Sequence, residues 1–198
     1  MFKRLFGKPK QAPPVNFYEP VNRFFATYDK SSYSVVAAGS APTTEQGVLD
    51  FERRIGYTLP TQFRMFTMSP HCGLYIQVKP EIWPQPEPYA IRPVWSFQRG
   101  VVVYGLSPVL PPEFSLQYWH EFMFTQHGID NLLPFMSREG SQEKYCFTPT
   151  KEIVLWDPAM PEDPDKINLS FVELLTNELY ALDERRQKKQ RGEDLEQA

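Results

Sequence analysis

Hydrophobic and polar positions alternate along this chain with two different periods, and the switch between them divides it. From Thr43 the pattern is helical. Thr43 or Thr44 can cap a first helix with Glu45 and Gln46 close behind, and Val48, Phe51 and Ile55 give it one apolar face until Gly56 stops it. Pro60 fits the first turn of a second helix, where a missing N–H costs nothing, with Phe63 and Phe66 on its buried side. The run FERRIGYTLPTQFRMF, 51–66, thus reads as two helices joined by a tight turn.

From Gly73 the period shortens. LYIQV (74–78), AIRPVWSF (90–97) and VVVYGL (101–106) are rich in β-branched and aromatic residues and are bounded by Gly and Pro, as strands are. The four prolines of KPEIWPQPEP between the first two predict a stiff loop without regular pairing. PPEFSLQYWHEFMFTQHG returns to helical spacing through Phe114, Tyr118 and Phe122 and closes on Gly128. LLPFM, EKYCF and EIVLW are short strands at hairpin distance, DPAMPEDPDKIN is an acidic loop, and LSFVELLTNELYAL is an amphipathic helix with a polar, frayed continuation.

Helices first, strands in the middle and a helix last predict an α+β fold, a mostly antiparallel or mixed sheet packed with N-terminal helices and a C-terminal helix. The expected organisation is a basic N-terminal tail and short helix over 1–40, a domain over 41–182 and a charged helix end or tail over 183–198. Within the first part, the Ser/Gly/Ala passage 31–41 reads as a loop or linker.

At 198 residues the chain fits one domain, and its 15% aromatic content can fill a mixed core. No window approaches the roughly 18 consecutive apolar residues that span a bilayer. The basic start MFKRLFGKPK has no apolar run behind it, which predicts no signal peptide. Two cysteines, Cys72 and Cys146, are too few for a disulfide framework and point to a reducing cytoplasm. The net charge of −3 conceals a division: +4 over 1–40, −7 over 41–182 and 0 over 183–198. An acidic middle disfavours nucleic acid and suits a basic partner.

Catalytic chemistry finds little support. His71 and Cys72 are adjacent, and neighbouring side chains on an extended chain point to opposite faces. His120, Glu121 and His127 share a helix, but the two histidines are seven residues apart rather than the four of a zinc helix. Neither GxGxxG nor GxxxxGK[ST] occurs. The expectation is a protein that is not an enzyme and needs no metal or cofactor.

The order of motifs resembles the SMI1/KNR4 (SUKH) superfamily. Its E-x-x-(I/L)-G-x-x-LP-x-x-(Y/F) opening is matched by Glu52, Ile55, Gly56, Leu59, Pro60 and Phe63. LLPFMSREGSQEKYCF is similar to its strand, Gly-containing turn and strand, EIVLWD to its next strand, and Ser170-Phe171 to the pair that opens its last helix. Where relatives often carry an Asn-Gly-Gly type turn, this chain has Ser69 to Gly73.

The resemblance implies a cytoplasmic immunity protein that binds and neutralises a cognate secreted toxin, a nuclease or another nucleic-acid-modifying enzyme, by stoichiometric contact. The alternative is a non-enzymatic adaptor that docks through its two termini. For the first, the expected binding residues are the carboxylates of Glu139, Glu143, Asp157, Glu162, Asp163 and Asp165, with Trp83 as an exposed aromatic anchor. The expected partner is a basic protein, with no nucleic acid and no membrane span.

Overall fold

A computed structural model describes residues 18–37, 41–85 and 97–193. The fold is α+β. Seven strands pair antiparallel in sequence order: β1 (Tyr33–Val36), β2 (Tyr75–Val78), β3 (Gly100–Val103), β4 (Leu133–Arg138), β5 (Lys144–Phe147), β6 (Ile153–Trp156) and β7 (Asp165–Ile167). Five helices accompany them among the described residues: α1 (Glu19–Thr27), α2 (Glu45–Ile55), α3 (Thr61–Thr67), α4 (Leu116–His127) and α5 (Phe171–Gln190).

Local chemistry fixes the two predicted N-terminal helices. The Thr44 side chain accepts the Gly47 N–H to cap α2, and Gly56 ends that helix with φ +82°, a left-handed conformation that favours glycine. The Glu52 carboxylate then spans the turn, accepting the Leu59 N–H at 2.9 Å and Arg64 Nη1 at 2.8 Å. Leu59 and Phe63 are buried and Ile55 packs against the core, so the motif residues of this stretch are scaffold. Ser170 and Glu173 form a reciprocal capping box at the start of α5.

The strand pleat sorts the core into two layers. Tyr145, Phe147 and Ile153 belong to the larger cluster, where Phe63 meets the rings of Phe135, Phe147 and Phe171 within 5.6 Å. Cys146, Val154 and Trp156 alternate with them and pack instead with Met123 of α4 and Leu132. The sheet therefore lies between α4 on one side and α3 and α5 on the other.

Three expectations are corrected. The passage 31–41 contains β1, whose four residues all pair with β2, and α1 buries Val21 and Phe24 in the main core; residues 19–36 are part of the domain. The acidic loop contains β7, which pairs with β6. The polar end of the last helix is neither frayed nor wholly solvated: α5 runs to Gln190, and buried Arg186 binds Asp183, which also accepts the Tyr33 hydroxyl at 2.7 Å. Residues 90–96 of the predicted strand and most of the proline-rich loop around it lie outside the described residues, as do residues 1–17.

Gly105 ties the end of β3 to the start of α4. Its N–H donates to Phe114 and its carbonyl accepts from Leu116, with the chains so close that a Cβ would sit 2.5 Å from Cys72 Sγ and 2.6 Å from the Gly73 nitrogen. Gly105→Ala is expected to cost about 1–3 kcal/mol through overpacking. Urea denaturation measures it, and an unchanged midpoint would show that this junction yields freely.

Candidate partner-binding surface

The hairpin register decides where the acidic turns go. Lys144 pairs with Trp156, Val101 with Arg138 and Gln77 with Gly100, so the segments 97–99, 139–143 and 157–164 all leave the sheet at one end. The turn between β5 and β6 leaves at the other. Glu139, Glu143, Asp157, Glu162, Asp163 and Asp165, scattered over three parts of the sequence, are thereby gathered at one end of the molecule.

They are not equivalent there. Arg99, itself buried, holds Glu139 through Nη2 at 3.0 Å and also reaches Gln77. Glu143 accepts from the Ser141 hydroxyl at 3.2 Å. Behind that turn the Lys144 ammonium donates to the carbonyls of Ser141, Gln142 and Glu143 at 3.2–3.4 Å and lies 4.9 Å from the Trp119 ring. Burial pushes its pKa below the ordinary lysine value, partly opposed by nearby Cys146 and Glu143. Asp157 closes its own loop by accepting the Ala159 N–H. Glu162, Asp163 and Asp165 stand exposed and carry most of the uncommitted charge.

Trp83 does not belong to this surface. It is 3% exposed and packs into the main core, where the Lys79 carbonyl accepts its N–H and turns the chain inward, and the Lys189 ammonium lies 5.9 Å from its ring. The exposed aromatics are on α4 instead: Tyr118 is 43% exposed and Phe124 58%. The Phe114, Tyr118, Phe122 spacing in the sequence does not mark a buried face, because the helix starts at Leu116 and buries Leu116 and Met123. The aromatic density of α4 leaves more rings than one buried stripe accommodates.

Beside Tyr118, a run of other, mostly partly buried rings crosses the face of the sheet that α5 does not cover. Phe114 stacks on Tyr75 at 5.3 Å, Trp119 stacks on Tyr104 at 5.1 Å, and Trp119, Phe122, His127 and Trp156 follow with centroids 4.8–5.7 Å apart. Between the first two stacks lies a cleft of about 320 Å³ reaching Glu113, Glu139 and Lys144. At the other end of the run, His127 and Ile129 face Pro161 and Glu162 across a hollow of about 280 Å³. The surface is thus aromatic along its length and acidic along one margin, the composition of an interface with large apolar anchors and a charged rim.

The candidate catalytic groups are dispersed. His71 stacks on Phe25 at 5.1 Å, while Cys72 is fully buried against Gly105. Cys146 is also buried, which raises its thiol pKa far above the ordinary range. His120 lies against Phe51 and its pKa is lowered, mainly by burial. Among the described residues no group of three or more His, Cys, Asp or Glu is placed to hold a metal ion, and no helix is long and apolar enough to cross a membrane.

Comparison with known proteins gives no relationship to argue from: no family model matches the chain, and no curated protein does.

Proposed function

We propose that this chain is an immunity protein of the SMI1/KNR4 type, which binds a basic cognate toxin in the cytoplasm and neutralises it by stoichiometric contact. The observation that carries this reading is the convergence of six carboxylates at one end of the sheet beside a partly exposed run of aromatic rings. Carboxylates at such a margin steer an oppositely charged partner and speed encounter, while rings supply most of the binding energy once water is expelled. The sequence resemblance supports the same class, and the −7 charge of residues 41–182 fits a basic partner.

Co-expression with the neighbouring open reading frame tests it. Growth arrest by that frame alone, relieved by this chain and accompanied by a 1:1 complex, is the expected result; arrest that persists with no complex would end the reading. An adaptor is separated by truncation, but removing 1–40 would delete α1 and β1 and unfold the domain. Removing 1–17 and 194–198 leaves every described element in place. An inhibitor acting through its core should then still neutralise, whereas an adaptor docking through its termini should fail.

A further inference from the structure

The cleft between the two aromatic stacks has a more specific chemistry than the surface around it. Its walls are Phe114 stacked on Tyr75, with planes 28° apart, and Trp119 stacked on Tyr104. Its nearby cations are largely committed. Arg138 turns to the opposite face of the sheet, where it binds Glu178 and the Tyr145 hydroxyl. Arg99 is paired with Glu139 through Nε and Nη2, its Nη1 being buried without a partner outside the cleft lining, and Lys144 donates to three backbone carbonyls and lies over the Trp119 ring.

The acceptors are less fully used. Glu139 spends Oε1 on Arg99, while its Oε2 is buried without a hydrogen-bond partner; the Tyr75 hydroxyl beside it donates to Gln77 at 2.6 Å. The exposed Glu113 side chain forms no hydrogen bond or ion pair among the described residues, its backbone carbonyl alone accepting from the Trp119 indole. The Arg99–Glu139 and Arg138–Glu178 pairs cancel, and Glu113 and Glu143 together outweigh Lys144. The cleft offers flat rings, a surplus of negative charge and a carboxylate oxygen that gains from a donor.

We propose that this cleft receives an arginine side chain of the partner protein, its guanidinium lying against the Phe114 ring and donating to Glu113, beside the Glu139 carboxylate. A guanidinium is planar, weakly hydrated and able to stack and hydrogen-bond at once. An ammonium is more strongly hydrated and loses more on entering, and a neutral ring would leave the Glu113 carboxylate without a counter-charge. The volume, about 320 Å³, admits the head group and part of its stem. The inference rests on the protein-binding reading and names the residue that the surface selects.

The test uses the full chain and N-acetyl-arginine amide, followed by NMR at the Trp119 indole and Phe114 ring, with N-acetyl-citrulline amide and N-acetyl-lysine amide in parallel. Expected are saturable shifts at both residues with the arginine compound, binding about 3- to 10-fold weaker with the lysine compound, and none with the neutral citrulline. Glu113→Gln, at an exposed site that leaves the fold alone, should weaken arginine binding, and Phe114→Ala should abolish it. Equal shifts with citrulline, equal affinity for lysine, or no change in Glu113→Gln would overturn the proposal. A toxin complex that forms while the cleft ignores arginine removes this inference alone. A cleft that binds arginine while no toxin complex forms removes the immunity reading alone.

Discussion

Glu178→Ala is expected to destabilise the protein by about 3–5 kcal/mol, the usual consequence of removing one partner from a buried ion pair. The Glu178 side chain is 8% exposed; it accepts from Arg138 Nε and Nη2 at 2.8–3.2 Å and from the Tyr145 hydroxyl at 2.7 Å. Close by, Arg185 has Nε and Nη2 buried without a partner, and its pKa is lowered by burial and by the charge of Arg138, against the charge of Glu178. Removing the carboxylate leaves two guanidinium groups facing each other with no counter-charge. Guanidinium denaturation reads the loss. The double change Arg138→Met with Glu178→Leu should recover part of it, because apolar groups of similar volume avoid the desolvation penalty of the pair while Arg185 still loses the charge of Glu178. A Glu178→Ala variant within about 1 kcal/mol of wild type would mean the pair is as weak as a surface bridge.

The same carboxylate makes stability depend on pH. Burial alone would raise its pKa, but the hydrogen bonds and charge of Arg138, with the Tyr145 hydroxyl, outweigh burial and hold it below the ordinary glutamate value. A group depressed in the fold contributes its full stabilisation above the unfolded pKa, about 4.3, and loses it as pH falls through the lower folded value. Acid unfolding should therefore begin below that point and should be blunted in the double variant.

The second large effect concerns binding. Replacing Glu162, Asp163 and Asp165 together by lysine is expected to weaken the proposed toxin complex by about 10- to 100-fold, mostly through slower association, and to flatten its salt dependence. All three are exposed and none holds the core, so the thermal midpoint should stay close to wild type. Stopped-flow association at several salt concentrations distinguishes this from a general loss of fold. An unchanged association rate would remove the loop from the interface.

The legibility of this protein in its sequence follows the range of the forces involved. α2, α3 and the β4–β5–β6 hairpins were readable because their signals are local: the Thr44 cap, the left-handed Gly56 and strand pairs a few residues apart. β1 was not, because YSVV is a four-residue edge strand whose partner β2 is remote in the chain. β7 was hidden by its composition, since Asp165 and Lys166 suit an exposed edge and read as loop. The polar end of α5 looked solvated because nothing nearby in sequence announces Tyr33 and Asp183 as partners of each other.

For the site, residue types were readable and their placement was not. The carboxylates could be named, but their meeting at one end of the sheet depends on hairpin register. Trp83 carried an interface-like identity, yet distant elements bury it, whereas aromatic periodicity in α4 could not say which rings the sheet would leave uncovered.

Amide hydrogen exchange on the purified complex tests the central claim most directly. Protection on toxin binding is expected at 113–127, 139–143 and 157–165, with 51–66 unchanged because those residues are scaffold. Protection confined to 51–66, or to the termini, with the aromatic and acidic margin still exchanging freely, would contradict it.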